Sequence, residues 1–135
     1  EIIDLVKPIE KGDADFVLGS RMILPESRMA LLPQARYGNQ LAVFLIKLFF
    51  NHSFTDLGPF RAIRHSSLMA IGMQDKDFGW TVEMQIKAVK NKLRIQEFPV
   101  KYRERIGVSK ITGTVSGTFK AGTKIIYTIF KYLLT

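Results

Sequence analysis

Three short segments of the chain combine charged side chains with glycine or aromatic residues, a mixture that a plain core element does not need. They are residues 55–61 (TDLGPFR), residues 77–85 (DFGWTVEMQ) and residues 102–110 (YRERIGVSK). Glycine lets a backbone approach a ligand closely, and arginine binds phosphate through charge-assisted hydrogen bonds. The segments therefore predict a site where cations meet an anion, and phosphate is the anion expected.

The last segment supplies the strongest candidate for an anion clamp. Arg103, Arg105 and Lys110 lie close together in the sequence, and Gly107 between them permits a tight bend. The alternative is a solvated basic loop with no ligand.

A second candidate contact follows a short apolar run at residues 14–18, which predicts a buried strand. Ser20 and Arg21 come directly after it, and ligand sites in open α/β sheets lie beyond the carboxyl ends of strands. Arg21 could bind phosphate there, aided by the hydroxyl of Ser20. An ordinary turn with a surface arginine explains these residues equally well.

Acidic residues offer a different chemistry. Asp56 could position or deprotonate an acceptor, or it could form an Asx-turn that starts a strand. Glu83 and Trp80 open a predicted helix, where the helix dipole favours a carboxylate for structural reasons alone. Asp13 and Asp15 form a D-x-D pair that could hold a divalent metal. That pair precedes the strand, however, which favours a solvated turn.

Composition and charge narrow the class of protein. The 135 residues suit one domain or part of one, and the absence of cysteine excludes disulfides and cysteine-based zinc sites. Residues 1–84 carry nine basic and ten acidic side chains, whereas residues 85–135 carry eleven basic and two acidic ones. The C-terminal part is therefore expected to face phosphate groups, a lipid surface or nucleic acid.

The apolar periodicity predicts an α/β layer fold, because helices alternate with strands along the chain. One domain is expected over residues 1–111, followed by an amphipathic helix over residues 112–135. Helices are predicted over residues 2–9, 34–50, 65–71, 81–90 and from 112 onward, and Thr81 is expected to cap the helix over residues 81–90. Strands are predicted over residues 14–18 and 93–102. Residues 54–63 are expected to form a turn and a strand, and residues 22–33 a loop.

Two of these helices carry much apolar surface. Residues 41–50 are apolar all round except at Lys47, so that helix is expected either deep in the core or in a membrane interface. The last helix combines an apolar stripe with Lys120, Lys124 and Lys131, which suits anionic lipid and equally suits a core-packing helix with one wet face. The apolar runs are too short to span a bilayer, which takes about 20 residues.

Together these motifs resemble the C-terminal half of bacterial family 2 glycosyltransferases, and most closely the dolichyl-phosphate mannose synthase-like branch. The resemblance covers essentially the whole chain. It implies the GT-A fold, a Rossmann-like α/β sandwich, with amphipathic helices at a membrane interface. It also implies that residues 1–111 are the C-terminal half of a catalytic domain whose nucleotide-binding half lies outside this chain. The resemblance rests on residues 19–21 (GSR), 55–63 (TDLGPFRAI), 78–85 (FGWTVEMQ) and 102–110 (YRxRxGxSK).

The same resemblance implies roles for individual residues. The catalytic residues, or those that line the centre of the site, are expected to be Asp56, Arg61 and Glu83. A divalent metal, magnesium or manganese, is expected in the complete enzyme, with ligands mostly outside this chain. The expected substrate-binding residues are Ser20, Gly58, Arg21, Arg36, Trp80, Arg103, Arg105, Ser109 and Lys110. Arg21 and Arg36 would contact an acceptor phosphate, and Trp80 would border the sugar or acceptor pocket. The three cations of the basic segment, Arg103, Arg105 and Lys110, would close over a donor diphosphate.

The expected function is an inverting transfer of a hexose from a nucleotide-sugar to a polyprenyl phosphate or similar membrane acceptor. The protein is expected in the cytoplasm, peripheral to or anchored at the membrane, and this chain alone is expected to be inactive. A phosphate acceptor is already anionic near neutral pH, so Asp56 would orient it, whereas a hydroxyl acceptor would need Asp56 or Asp77 as a base.

Two alternatives belong to other classes. One is a nucleic-acid-binding module built on the basic C-terminal third, and the other is a non-catalytic interaction module. No nucleic-acid partner is expected, because the aromatic residues of that third do not interleave with the basic ones as a stacking platform would.

Overall fold

A computed structural model of the chain describes residues 2–31, 33–58, 60–74, 79–101 and 115–134. Helices and strands alternate along these residues, so the mixed α/β class is confirmed. The elements in chain order are α1 (Ile2–Glu10), β1 (Phe16–Ser20), α2 (Pro25–Ala30), α3 (Pro33–Phe50), β2 (Arg61–Ile63), α4 (His65–Ile71), α5 (Trp80–Lys90), β3 (Ile95–Pro99) and α6 (Val115–Leu134).

The described strands form one sheet in the order β2-β1-β3, with β1 in the centre. β2 runs antiparallel to β1 and pairs Ala62 with Val17, whereas β3 runs parallel to β1 and pairs Gln96 with Val17. All five residues of β1 are buried, because helices cover the central strand on both faces. The carboxyl end of β1 lies next to Pro99, the last residue of β3.

The two faces of the sheet have separate cores. α1 covers one face, where Leu5 packs with Val17. α3, α5 and α6 cover the other face, which holds the larger apolar cluster. α6 packs against α3 through the rings of Phe49 and Phe130, whose centroids are 5.5 Å apart. None of the helices in the described ranges is both long enough and apolar enough to cross a membrane.

Three expected boundaries were wrong. The expected loop at residues 22–33 contains α2, whose first residue is Pro25, followed by Glu26 in the first turn; both suit a helix start. Thr81 does not cap α5, because Gly79 is the cap residue and the helix begins at Trp80. β3 (Ile95–Pro99) is shorter than the strand expected over residues 93–102. The junction at residues 111 and 112 lies outside the described residues, so the predicted division of the chain stays a prediction.

Asp15, the second acid of the D-x-D pair, joins the start of β1 to the other two strands. This position agrees with a turn before the strand, which was the alternative to a metal site. Its carboxylate accepts hydrogen bonds from the main chain of Arg94 at 2.9 Å and from the guanidinium of Arg94 at 3.2 Å. Arg64 donates to it at 3.4 Å. The hydrogen bonds and charge of Arg94 lower the pKa of Asp15 from 3.8 to about 2.

This pKa shift predicts how stability depends on pH. A carboxyl group whose pKa falls on folding stabilises the folded chain above its unfolded pKa, and that contribution is lost as the pH drops from about 4 to about 2. Asp15→Asn should lower the free energy of unfolding at pH 7 by about 1–2 kcal/mol, and the difference should vanish near pH 2. Urea unfolding across this range measures it. Asp4→Asn, a change of the same kind at an exposed site, is the control, and equal losses in both variants would contradict the assignment.

Candidate functional site

The residues singled out by the sequence meet at the carboxyl end of β1. Arg21 follows that strand directly, and the segment that leads into β2 passes beside it. Arg61 is the first residue of β2 and pairs with Leu18 of β1. α5 begins nearby at Trp80, whose ring faces the guanidinium of Arg61. The sheet therefore brings together segments that lie up to 60 positions apart in the sequence.

Arg21 and Asp56 form the central ion pair. The Nε and Nη2 atoms of Arg21 each donate to one oxygen of the Asp56 carboxylate, at 2.9 Å in both cases, and the main-chain N–H of Arg21 donates to it at 2.8 Å. Asp56 is fully buried, whereas 20% of the Arg21 side chain is exposed. Arg21 donates three hydrogen bonds to this fully buried carboxylate, so Asp56 holds Arg21 in place in this arrangement. The catalytic role expected of Asp56 stays a prediction.

Gly58 allows the segment after Asp56 to lie against the end of β1. A Cβ atom at position 58 would lie 2.8 Å from the carboxylate of Asp56 and 3.0 Å from the carbonyl oxygen of Gly19. Real Cβ atoms do not approach other atoms so closely, so this position needs a glycine. The glycine expected at the site therefore has a packing role: it makes room for the central ion pair.

Arg61 is a partly buried cation with uncharged hydrogen-bond partners. Its guanidinium donates to the carbonyl oxygen of Gly58 at 2.6 and 3.0 Å, to that of Thr81 at 3.1 Å and to the side-chain oxygen of Gln85 at 3.0 Å. Its central carbon lies 5.2 Å from the centre of the Trp80 ring. Burial lowers the pKa of Arg61 to about 9, and the charge of Asp56 opposes that shift. The group stays protonated at neutral pH.

A chain of hydrogen bonds on the other side of Asp56 fixes the hydroxyl of Ser20. Thr55 donates its hydroxyl proton to Glu97 at 2.7 Å, because a carboxylate only accepts. The 2.6 Å contact between the Ser20 and Thr55 hydroxyls must therefore carry the proton of Ser20. Ser20 is fully buried, and its proton is already used, so the predicted contact of Ser20 with a substrate stays a prediction that this geometry does not favour.

Sequence reasoning assigned no role to four residues of this site, Asn39, Thr55, Gln85 and Glu97, although Thr55 and Gln85 lie within the segments it singled out. Asn39 holds the segment around Asp56 from α3, since it accepts from the main chain of Leu57 at 2.7 Å. A polar residue within the buried stripe of a helix was the available signal for Asn39 and Gln85, because such a side chain needs a hydrogen-bond partner. Glu97 gave no comparable signal.

The structure does not bring Glu83 to Asp56 or Arg61. Glu83 is fully buried on the side of α5 that faces α6, where the hydroxyl of Tyr132 donates to it at 2.8 Å. Lys87 donates to the same carboxylate oxygen at 2.6 Å, and the main chain of Gln74 does so at 2.9 Å. The Tyr132 bond joins α5 to α6 and the Gln74 bond joins α5 to the segment after α4, so these are structural contacts, and the catalytic role of Glu83 stays a prediction.

Other expected residues lie away from the cluster or outside the described residues. Arg36 contacts the sulfur of Met29 at 3.6 Å, and no bond joins it to Arg21. The four expected residues of the basic segment (Arg103, Arg105, Ser109 and Lys110) lie outside the described residues.

The described acidic residues near the site do not form a metal cluster. Within the described ranges, no three His, Asp or Glu side chains lie close enough together to hold a metal ion. Asp56 is paired with Arg21, and one oxygen of Glu97 is held by Thr55. The resemblance implies metal ligands mostly outside this chain, so the divalent metal stays a prediction.

Comparison with known proteins points to one class. The chain is 29% identical over 118 residues to uncharacterized glycosyltransferases of Mycobacterium bovis and Mycobacterium tuberculosis, a match that covers 87% of the chain and 53% of each relative. It is 32% identical over 110 residues to an undecaprenyl-phosphate mannosyltransferase of Micrococcus luteus, which covers 77% of the chain and 45% of that relative. These relatives support a glycosyltransferase family.

The chain spans about half the length of the curated relatives it matches. No protein-family model matches it, and no solved structure does. The finer assignment to family 2 and to the GT-A fold therefore stays a prediction.

The close approach at Gly58 can be tested against a second glycine. Gly58→Ala should lower the free energy of unfolding by about 1–3 kcal/mol, because the added methyl group overpacks the central ion pair. Gly38→Ala is the control, since a Cβ atom at Gly38 in α3 meets nothing within 4 Å. That change should be neutral or stabilise the chain by up to about 1 kcal/mol. Urea unfolding of both variants measures the difference, and similar values would refute the packing argument.

Proposed function

We propose that this chain is the acceptor-side part of a glycosyltransferase that moves a hexose from a nucleotide-sugar to a polyprenyl phosphate or similar membrane acceptor. The supporting observation is the cationic cluster at the carboxyl end of β1, in which Arg21 and Arg61 face one carboxylate among the described residues, that of Asp56. A phosphate group is the ligand that such a cluster attracts. The similarity to glycosyltransferases, one of them named for undecaprenyl phosphate, supports the same reaction.

The chemistry asked of these residues is positioning and charge stabilisation. An acceptor phosphate is already ionised near neutral pH, so it attacks the sugar carbon without a strong base. Arg21 and Arg61 orient the phosphate, and orientation alone can supply several kcal/mol of the barrier, up to roughly 7–11. The leaving diphosphate gains charge as its bond to the sugar breaks, and the basic segment with Arg103, Arg105 and Lys110 is the proposed partner for that charge.

The donor side of the site is proposed to lie in residues outside this chain. The relatives are about twice as long as their matching segment, and the acids described here do not form a metal site. The nucleotide, the divalent metal and its ligands therefore belong to the remaining part in this proposal. The proposed inverting course follows from a single displacement at the sugar carbon.

A membrane surface is the proposed location of the acceptor. α3 has a buried face that includes Ile46 and a second apolar face on which Phe44 and Leu48 are each 60% exposed. α6 adds Tyr127 and Phe130, which are 59% and 43% exposed. The contact between α3 and α6 places these residues on neighbouring helices, and exposed apolar surface of this kind marks interaction sites.

The proposed membrane face predicts vesicle binding that depends on both apolar and basic residues. Binding should rise with anionic lipid and fall with salt, because each lysine near the surface contributes about 1 kcal/mol. Replacing Phe44 and Leu48 with Gln together should weaken binding by at least about tenfold, since each side chain gains about 1.5 kcal/mol or more in lipid. Sedimentation with vesicles measures both effects.

A matched control tests whether the effect is specific to this face. Ile3 and Met69 are 66% and 68% exposed on α1 and α4. Their double replacement with Gln should leave vesicle binding unchanged. Equal losses in the two double variants would show that general hydrophobicity, and not this face, drives the binding.

Glycosyl transfer tests the proposed function itself. This chain alone, incubated with Mn²⁺, nucleotide-hexoses and undecaprenyl phosphate, should form no glycolipid. A chimera in which the chain replaces the matching segment of the Micrococcus luteus relative should form it. Arg61→Met in that chimera should lower kcat/KM by about a hundredfold, the usual loss when one charge-stabilising group is removed.

The chimera needs a control for the altered charge. Lys11→Met removes an exposed cation from the end of α1 and should leave the rate unchanged. Product from the chain alone would disprove the need for a missing half, and a folded but inactive chimera would count against the proposed reaction.

A further inference from the structure

Gln85 of α5 connects Arg61 to the main chain of Asp56. Its side chain is fully buried. Its oxygen accepts from the guanidinium of Arg61 at 3.0 Å, and its nitrogen donates to the carbonyl oxygen of Asp56 at 3.1 Å. The amide has one possible orientation, because the flipped form would set its N–H groups against the guanidinium and its oxygen against a carbonyl oxygen.

The charges of the described residues around this amide do not balance. Arg21 and Asp56 neutralise each other, and Arg61 adds a second positive charge whose hydrogen-bond partners among the described residues are all uncharged. Asp56 and Arg21 both act on the charge of Arg61. Of the other described acids, Glu97 lies beyond Thr55, and Glu83 faces α6. Within the described part of the chain, one positive charge thus remains unneutralised at the site.

A carboxylate in place of the Gln85 amide would be the ordinary partner for a buried guanidinium, because burying an unpaired charge is costly. The same helix shows such pairing two residues earlier, where buried Glu83 is matched by Lys87 at 2.6 Å. The neutral amide holds Arg61 by a hydrogen bond and leaves its charge available. Four of the five N–H groups of Arg61 have acceptors among the described residues, and a phosphate oxygen is a suitable acceptor for the fifth.

We propose that Gln85 is a positioning and specificity-determining residue: it fixes Arg61 with an uncharged acceptor, so that the site keeps a net positive charge for a phosphate or diphosphate group bound beside Trp80. The inference rests on the proposed phosphate-binding function and adds the residue that maintains its charge. Arg61 is partly exposed, and Trp80 forms a half-buried wall beside it. An anion that binds there contacts both side chains.

Pyrophosphate binding to the 135-residue chain tests this proposal. Trp80 is the sole tryptophan of the chain and lies 5.2 Å from the guanidinium of Arg61, so its fluorescence reports an anion bound there. In the wild type, fluorescence should change with pyrophosphate, and Kd should rise with salt. Gln85→Glu should weaken binding by at least about tenfold, because it places a negative charge beside the ligand. Its thermal unfolding temperature should be unchanged or higher, because Arg61 gains a carboxylate.

Two further variants separate charge from structure. Gln85→Met removes both hydrogen bonds but keeps the net charge, so it should lower the unfolding temperature and, through the lost positioning of Arg61, weaken binding clearly less than Gln85→Glu does. Gln96→Glu makes the same charge change on β3, away from Arg61, and should leave Kd unchanged.

Each contrary outcome has a definite meaning. A Gln85→Glu variant that binds pyrophosphate as tightly as the wild type would overturn the proposal. So would a loss of binding that follows the loss of stability in both Gln85 variants, since that pattern indicates a purely structural role. A wild-type chain that binds no pyrophosphate would show that Arg61 forms no anion site. If pyrophosphate binds as expected but the chimera transfers no sugar, the proposed reaction fails and the role of Gln85 stands.

Discussion

The buried carboxylate of Asp56 is the group on which the arrangement of the site depends. A fully buried charge must be paired and hydrogen-bonded, or it would cost several kcal/mol. Arg21 meets this need with two side-chain bonds and one main-chain bond, all at the carboxyl end of β1. The main chain around Asp56 is held as well, by Gln85 from α5 and by Asn39 from α3. Pairing one carboxylate therefore fixes the relative positions of a strand, a connecting segment and two helices.

The second guanidinium of the site, that of Arg61, is held by uncharged groups among the described residues. Arg61 is held by carbonyl and amide oxygens and by the face of Trp80, which attract a cation without neutralising it. The lowered pKa of Arg61 reflects the free energy needed to bury its charge. Among the described residues, the site thus contains one arginine paired with a carboxylate and one without a charged partner, and the second is the one that can contribute a full charge to an anion.

The sequence predicted the architecture better than the connections. A continuous apolar run predicted β1, and the strand does lie buried in the centre of the sheet. Charged residues beside glycine predicted where the site would form, and Arg21, Asp56 and Arg61 do meet there. The short helix α2 was missed, because the two prolines and mixed polarity of residues 22–33 resemble a loop. Tertiary packing selects the helix, for example through the bond from Ser27 to the carbonyl oxygen of Val100 at 2.8 Å.

Hydrogen-bond direction could not be predicted, because it depends on partners that are distant in the sequence. From the sequence alone, the hydroxyl of Ser20 could bind phosphate. In the structure, Thr55 donates its proton to Glu97, so Ser20 must donate its own proton to Thr55. The placement of Glu83 was more accessible to sequence reasoning. Residues two apart on a helix point in different directions, so Glu83 and Gln85 could not both face Arg61.

This division of α5 into two polar faces links the two proposed surfaces of the molecule. Thr81 and Gln85 bind Arg61 on one side, whereas Glu83 binds Tyr132 of α6 on the other. Lys90 strengthens the second side by donating to the main chain of Tyr132 at 2.9 Å. A helix joined by buried hydrogen bonds at both faces cannot shift toward one partner without breaking bonds to the other. α5 therefore sets the distance between the cationic site and the apolar face to which α6 contributes, and in the proposed function this is the distance that a lipid phosphate spans.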